Sequence, residues 1–324
     1  MVYINGIGSV SIQNEGQMEL PDISQSSYVR CQDPDFSQYI PPIASRRMSK
    51  IIKRAIVSSK RALADAEMEC PQAIISGTGL GCIEDTEKFL SAMIKDKETF
   101  LQPTHFIQST HNTISSQIAM YLKCYGYNNT YSHLGISFES ALLDAFLQLQ
   151  TRSCENVLVG GYDEMTPNYH FMLSKLKFWD NCFSGEGCTS FLIANQQTER
   201  SYCKIDDIRL FYNPKSSSDV VEEINTILQD NGWSFSDFGA IMWGMSGNPA
   251  NDSIYHSIYD NHAELSLKQA FMFKKYSGEY FTASAFGINR AANLLKEPNN
   301  SVNKILFHQH FHNQAHALIL LSTC

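Results

Sequence analysis

Short runs of consecutive apolar residues alternate with segments of helical apolar spacing along the first two hundred positions of the chain. Residues 73–76 and 157–159 are continuous apolar runs, which are typical of strands buried on both faces of a sheet. Residues 52–63 and 139–150 instead carry apolar side chains at the spacing of one helix face. Strands that alternate with helices predict an α/β fold, in which helices cover a central sheet.

The same alternation starts again near residue 200. Residues 203–211 and 238–243 are candidate strands, and between them residues 217–219 resemble the capped start of a helix whose buried face includes Val220 and Ile224. The end of the chain predicts a closing hairpin, with strands at 304–307 and 317–322. Because no linker rich in Pro or Ser separates the two parts, we predict halves at 1–200 and 201–324 that share one core.

Composition fits an ordinary globular protein and argues against several partners. The chain has 324 residues, 43% hydrophobic and 18% charged, with a formal net charge of −8. Such a charge repels a phosphate backbone, so a nucleic acid partner is not expected. Residues 1–6 are predicted to form a strand that enters a turn and lack the features of a signal peptide, and no apolar run approaches the roughly 20 residues that span a bilayer. We therefore expect a cytoplasmic protein with no membrane insertion.

The nine cysteines are scattered, with no CxxC pair and no spacing typical of metal ligands. Free thiols in a reducing compartment are the expectation, and neither a metal nor another cofactor is predicted.

Five motifs occur in one order along the chain. They are residues 76–81 (SGTGLG), 111–119 (HNTISSQIA), 131–145 (YSHLGISFESALLDA), Gly160-Gly161 with Glu164, and 185–187 (GEG). In this order they resemble the β-ketoacyl-acyl carrier protein synthases of the thiolase fold. The resemblance covers most of the chain and implies a thiolase-like fold, with two related halves in an α-β-α-β-α layered sandwich and mixed central sheets. The chain is shorter than a typical member, mainly between residues 165 and 185.

The family's catalytic positions are altered here. Counting back from the glycine pair places Gly135 at the position of the nucleophilic cysteine. Gly244 matches the first catalytic histidine and Glu279 the second, while the lysine that precedes the second histidine is kept as Lys274. The closing oxyanion loop matches residues 310–315, which keep the gating phenylalanine as Phe311 but lack its flanking glycines.

This degeneration implies a chain-length-factor-like subunit that is not catalytic alone and pairs with an active ketosynthase. Similar short proteins occur in clusters for aryl polyenes and related pigments, and the function implied is in polyketide, aryl polyene or fatty acid-type synthesis. Residues 119–131 correspond to the family's dimerisation segment. Two alternatives stay open: an active acyltransferase, a synthase or malonyl decarboxylase that uses unrecognised residues, or a non-enzymatic homodimer that binds an acyl chain or a carrier protein.

Several single residues admit more than one interpretation. Ser137 is a possible substitute nucleophile, but a serine that begins a helix is more often a cap. Lys274 and Glu279 are expected to form an ion pair that supports packing. The vestigial acyl pocket and its gate are predicted from the resemblance to be lined by Phe311, Ser137, Phe138, His310 and His312.

Two clusters are candidate binding surfaces. The alternation of His308, His310 and His312 would place all three on one face of a strand, which permits a metal site, but a polar pocket lining or a partner contact is the preferred interpretation. Carrier proteins are acidic, so the basic residues at 46–54 are a candidate docking surface: Arg46, Arg47, Lys50, Lys53 and Arg54.

Overall fold

The fold was analysed in a computed structural model that describes residues 1–13, 18–22, 27–95, 102–298 and 300–324. Ten strands form one mixed sheet. They are β1 (Val2–Val10), β2 (Ala73–Gly77), β3 (Tyr127–Tyr131), β4 (Asn156–Asp163), β5 (Gly187–Ala194), β6 (Cys203–Tyr212), β7 (Ala240–Trp243), β8 (Gln269–Met272), β9 (Lys304–Phe311) and β10 (Ala315–Ser322).

The strand order shows an internal repeat. Across the sheet the order is β3-β2-β4-β5-β1-β6-β10-β9-β7-β8. Read from each outer edge towards the centre of the sheet, and numbered along the chain within each set, both sets of five strands have the order 3-2-4-5-1. The two sets join where Val2, Tyr3 and Ile4 of β1 pair with β6. The predicted pair of related halves is confirmed at the level of topology, and the boundary between residues 200 and 201 stays a prediction.

Helices cover and divide the sheet. They are α1 (Pro42–Ser45), α2 (Lys50–Asp65), α3 (Ile83–Lys95), α4 (Pro103–Gln108), α5 (Thr113–Leu122), α6 (Ser137–Gln150), α7 (Pro167–Lys175), α8 (Ser217–Asp230), α9 (Pro249–Asn261), α10 (Ala263–Ser266), α11 (Lys274–Ser277) and α12 (Ala283–Lys296).

Three apolar clusters give the fold its layers. One cluster joins α2 and α5 to the outer face of the first set of strands, and another joins α8 and α9 to the outer face of the second set. The largest lies between the two sets and contains the buried faces of α6 and α12. The layers are therefore helix, sheet, helix, sheet, helix, as the thiolase-like fold requires.

Close helix packing explains two glycines of β1. An added Cβ on Gly6 would lie 2.2 Å from the Ala62 carbonyl oxygen, and one on Gly8 would lie 2.1 Å from the Ser58 carbonyl oxygen. Glycine at these positions lets α2 lie directly on the strand. The sequence-based prediction of a turn at Gly6 was wrong, because β1 continues to Val10 through an irregularity between Ile4 and Gly6.

The other predicted elements agree with the structure to within a few residues. The β9–β10 hairpin is present with Phe311 opposite Ala315. The cap of α8 is Ser216 rather than residues 217–219, since its side chain accepts a hydrogen bond from the Asp219 N–H. Over the described ranges, no helix is both long enough and apolar enough to cross a membrane.

Candidate functional site

The turn between β3 and α6 is the centre of the candidate site. Leu134 has a φ of 51°, a left-handed conformation that is uncommon for a leucine, and Gly135 follows it in a single 3-10 turn. Ser137 holds this turn together. Its hydroxyl donates to the Leu134 carbonyl at 2.7 Å and accepts from the His133 N–H at 2.8 Å. Ser137 therefore ties the turn itself and does not cap α6, whose cap residue is Ile136.

The space above Gly135 is filled by the ring of Phe311. An added Cβ on Gly135 would lie 2.3 Å from Phe311 Cδ2, far inside van der Waals contact. Phe311 comes from the end of β9 and also contacts Phe281 with ring centroids 5.8 Å apart. In this arrangement no side chain larger than hydrogen fits at position 135 unless the ring moves.

Gly244, the second position predicted to be altered, is equally crowded. An added Cβ on Gly244 would lie 2.0 Å from Gln309 Oε1 and 2.8 Å from the Tyr255 hydroxyl. Both groups are buried, and neither atom has a hydrogen-bond partner among the described residues. Burial raises the pKa of the Tyr255 hydroxyl well above its usual value, so it remains protonated. Two neutral polar groups thus occupy the volume that a larger residue at 244 would need.

At the third position, Glu279 forms an ion pair with Lys274. Lys274 Nζ lies 2.9 Å from each carboxylate oxygen, and its side chain is only 4% exposed. The predicted ion pair is present in the structure. A buried pair of this kind is costly to break, because the remaining charge would be left without a partner.

A second carboxyl group faces the same lysine from α6. Glu139 is fully buried, and burial raises its pKa to about 7, although the Ser284 hydroxyl and Lys274 lower it. Asp163, at the end of β4, is also fully buried and has a pKa raised to about 6 by burial. Its Oδ1 accepts hydrogen bonds from the Thr78 hydroxyl at 3.0 Å and the Gly79 N–H at 2.9 Å. Two buried carboxyl groups with raised pKa values, those of Glu139 and Asp163, therefore lie at the bottom of the candidate site.

A cavity lies beside these positions. It has about 580 Å³ of empty space, part of it open to solvent, and its walls are mainly apolar and aromatic. The segment of α7 and the residues after it contributes Tyr169, Leu173, Phe178 and Trp179, and the opposite wall contains Tyr280, Phe281 and Phe311. The polar groups at its surface include Lys274, Glu279, His310 and His312.

The cavity brings together some of the residues predicted for the pocket lining and not others. Phe311, His310 and His312 line the cavity, but Ser137 and Phe138 do not. Phe138 is fully buried in the core, where its ring lies 5.7 Å from that of Phe191. Helical spacing shows that Phe138 is on an apolar face, but it cannot show whether that face meets a cavity or a packed layer.

The histidines near the end of the chain form a hydrogen-bonded chain. His308 Nε2 lies 3.0 Å from His316 Nδ1, and His316 Nε2 lies 3.1 Å from Asn313 Oδ1. His310 Nδ1 accepts from the Asn313 N–H at 3.1 Å. His312 was predicted on the same strand face, but it lies in the turn with a φ of 49° and takes no part in this series of hydrogen bonds.

Burial keeps these imidazoles neutral. It lowers the pKa of His316 to about 4 and those of His308 and His310 well below the usual value. Within the described ranges, no group of three or more histidine, cysteine or acidic residues is placed to hold a metal ion. The chain of hydrogen bonds fixes the turn that carries Phe311 over Gly135.

The predicted basic docking surface needs one correction. Arg54 is 2% exposed, and its guanidinium bonds to Asp33 and lies 2.9 Å from Glu186. Arg54 is therefore an interior structural residue that cannot meet a partner. Helical position alone did not reveal this, because the acidic partners come from residues distant in the sequence.

Several residues of the site were not identified from the sequence. Glu139, Gln309 and Tyr255 approach the altered positions from elements far apart in the chain, and no motif marks them. The aromatic residues Phe178 and Trp179 fall in the shortened region after Met165. Their place in that shortened region was the one signal available.

One end of the sheet is open. Among the strands of the described residues, the edge strand β3 pairs with β2 alone, so its other side offers backbone groups without strand partners there. Large apolar side chains are exposed near it: Met120 at 63%, Tyr125 at 92% and Tyr127 at 45%. We call Met120, Tyr125, Tyr127 and the outer edge of β3 the β3 face. It coincides with the segment predicted for dimerisation.

Comparison with known proteins agrees with this geometry. Residues 23–180 match the family model of the β-ketoacyl synthase N-terminal domain. No curated protein matches the chain by sequence.

Solved structures match over the full chain at low identity. The ishigamide ketosynthase/chain length factor superposes with a TM-score of 0.85 at 14% identity, over 100% of this chain and 99% of that one. A ketosynthase (ApeO) in complex with its chain length factor (ApeC) from Xenorhabdus doucetiae gives 0.79 at 13% identity, over 100% and 98%. A β-ketoacyl synthase from Burkholderia phymatum STM815 gives 0.79 at 13%, over 100% and 99%. The predicted fold and the resemblance to β-ketoacyl synthases are confirmed.

Proposed function

We propose that this chain is a non-catalytic subunit that pairs with an active ketosynthase. Residues 23–180 match the N-terminal domain of the β-ketoacyl synthases, and the whole chain has the ketosynthase fold. The observation that carries the proposal is the turn after β3. Gly135 stands at the position of the nucleophile, and the Phe311 ring occupies the space that a nucleophilic side chain would need.

The chemistry of condensation supports this proposal. A Claisen condensation of this type needs a thiolate that accepts the acyl group, and groups that stabilise the enolate and the oxyanion as they form. Gly135 and Gly244 supply neither. Glu279 brings a carboxylate that is paired with Lys274. An ionised carboxylate has no proton to donate in a hydrogen bond, so it is a poor partner for a developing negative charge.

The titles of two structural relatives support a ketosynthase as the partner. One relative is described as a ketosynthase/chain length factor, and another is a ketosynthase in complex with its chain length factor. By analogy, we place this chain in the role of the chain length factor, in synthesis of a polyketide, an aryl polyene or a fatty acid-type chain. The β3 face is the proposed contact, because its open strand edge and exposed apolar side chains need a partner to be buried.

The proposal extends to a carrier protein, since one relative is an acyl carrier protein in complex with its ketosynthase. With Arg54 buried, the candidate docking residues are Arg46, Arg47, Lys50 and Lys53, of which Lys50 also lies 3.5 Å from Asp33. Charge reversal of Arg46 and Arg47 should weaken carrier binding, measured by titration at low salt. Undiminished binding would remove this surface from the proposal. A cytoplasmic location remains a prediction.

The test is mass spectrometry of the purified chain after incubation with acyl- and malonyl-carrier protein, with and without a co-expressed intact ketosynthase. We expect no acyl adduct on this chain and no loss of malonyl carbon dioxide without the ketosynthase, and co-purification with activity when both are present. A matched ketosynthase whose own nucleophilic cysteine is replaced by alanine should co-purify but give no product. An acyl adduct on this chain, or decarboxylation by it alone, would show that it is an enzyme.

A further inference from the structure

Two cysteines outside the candidate site lie in equivalent places on neighbouring strands. Cys70 is three residues before Ala73, the first residue of β2, and Cys124 is three residues before Tyr127, the first residue of β3. The two strands are parallel, and Ala73 pairs directly with Tyr127. The two cysteines therefore enter the same end of the sheet side by side.

The surrounding contacts keep the two entering segments close together. Both thiols donate to one acceptor, the Pro71 carbonyl, at 3.5 Å from Cys70 Sγ and 3.2 Å from Cys124 Sγ. Cys70 Sγ also reaches the Leu122 carbonyl at 3.6 Å, and an added Cβ on Gly126 would lie 1.9 Å from the Gln72 carbonyl oxygen. Burial raises the pKa of the Cys70 thiol, and the nearby Cys124 thiol raises it further.

From this placement we propose that Cys70 and Cys124 are a redox-active dithiol that closes reversibly to a disulfide. Neighbouring strands are about 4.8 Å apart, and disulfides join Cα atoms about 4.4–6.8 Å apart. The strand spacing falls within the range that a disulfide spans, and the two thiols already meet at one acceptor, the Pro71 carbonyl. Both cysteines are free thiols in the structure, as are the other seven.

Their unequal exposure assigns the two roles. Cys70 is exposed, whereas Cys124 is 8% exposed. A small disulfide such as oxidised glutathione reaches Cys70 first. The Cys70 thiolate attacks one glutathione sulfur, forms a mixed disulfide and releases one glutathione thiolate. The Cys124 thiolate then attacks the Cys70 sulfur and releases the second glutathione thiolate. The two protons lost by the cysteine thiols pass to the two glutathione thiolates, so two cysteine thiols and one glutathione disulfide become one protein disulfide and two molecules of glutathione.

The result ties together the starts of β2 and β3. The closed loop contains α3, α4 and α5, and its bond lies at the base of the β3 face. Because the Cys70 pKa is raised by burial and by Cys124, the first step should speed up as the pH rises above neutrality. The proposal does not depend on the proposed function, since it requires only this chain and an oxidant.

The experiment is to equilibrate the full chain with mixtures of reduced and oxidised glutathione, block the remaining thiols with an alkylating reagent, and map the peptides by mass spectrometry. We expect two fewer blocked thiols and one linked peptide pair that contains Cys70 and Cys124, both reversed by dithiothreitol. Thermal unfolding of the oxidised protein should shift to a higher temperature.

Single variants separate the steps. Cys124→Ser should stop at a stable glutathione adduct on Cys70, and Cys70→Ser should give neither adduct nor linked peptide at Cys124. Cys324→Ser, which changes the other exposed thiol, should leave the crosslink unchanged. The proposal is overturned if the unaltered chain keeps nine blocked thiols, or if it accumulates the glutathione adduct on Cys70 without forming the linked pair.

Discussion

Gly135 shows how a single residue is fitted to a crowded position. Its backbone does not need glycine, since it is not among the residues of positive φ, but its surroundings do, because the Phe311 ring lies where a Cβ would be. Steric room, and not backbone freedom, therefore keeps a larger residue out of the turn.

We expect Gly135→Cys to destabilise the fold by about 1–3 kcal/mol, the usual cost of forcing extra atoms into a packed site. It should form no acyl adduct. The double variant Gly135→Cys with Phe311→Ala should recover part of this loss, because the ring that clashes is removed. Urea unfolding measures both, and Gly239→Ala is the control, since an added Cβ there meets only ordinary contacts at 3.5 Å. A single variant as stable as the parent would show that Phe311 swings away freely.

Glu139 is a buried acid whose charge state depends on pH. Its pKa is about 7 in the fold against 4.5 when exposed, so between these values the folded protein holds a proton that the unfolded chain has released. Its contribution to stability is therefore complete below pH 4.5 and is lost as the pH rises through 7.

We expect Glu139→Gln to be about 2 kcal/mol more stable than the parent at pH 8 and nearly equal to it at pH 5. Unfolding by urea at both pH values measures this. Glu297→Gln is the control, because it changes an exposed carboxyl group at the end of α12. If Glu139→Gln changed the stability equally at the two pH values, the change would come from packing and not from ionisation of Glu139.

At the scale of elements, the β9–β10 hairpin is set by its neutral histidines. Between pH 4 and 6.5 the unfolded chain binds a proton at His316 that the folded protein does not. The fold is thus destabilised as the pH falls from 6.5, and this loss is complete below pH 4. The buried acids Glu139 and Asp163 act in the opposite direction, so only a difference between variants isolates the histidine.

We expect His316→Gln to lose less stability than the parent on going from pH 7 to pH 4, by about 1–2 kcal/mol. Chemical unfolding across this range gives the difference. His256→Gln, on the outer part of α9, should follow the parent. If the His316 variant and the parent lost the same stability between pH 7 and pH 4, the imidazole would not titrate as its burial implies.

Elements were more predictable than their contacts. Apolar runs located β2, β4 and the closing hairpin because each run is buried on both faces. Motif order predicts Gly135, Gly244 and Glu279 as the altered positions, but it does not identify the groups that fill the space around them. Gln309, Tyr255 and Glu139 reach the site from three separate elements, and only the packing of those elements brings them together.

The whole molecule is organised around one sheet with a repeated strand order. The repeat makes the two halves mutually dependent, since α6 and α12 are buried between them and belong to a single apolar cluster. Where this molecule meets a partner is then decided at the edges of the sheet.

We expect Met120→Glu, on α5 beside β3, to weaken association at least tenfold while changing stability by less than about 0.5 kcal/mol, because the side chain is exposed in the free chain. Sedimentation of the chain alone and co-purification with a ketosynthase measure it. Leu267→Glu is the control, because Leu267 is an even more exposed apolar side chain and lies near β8. Association that survives Met120→Glu, or a chain that is a stable monomer at micromolar concentration and binds no ketosynthase, would contradict a partner at the β3 face.

The two ends of the sheet are unequal, and this limits how far an assembly grows. The outer strand at the far end, β8, has only four residues and offers a short row of backbone groups to another strand. If two subunits joined edge to edge through β3, the described sheet edges left free would be the two β8 strands. Such short strands are poor templates for pairing with a third subunit. A closed pair, and not an open fibre, is the size at which such an assembly stops.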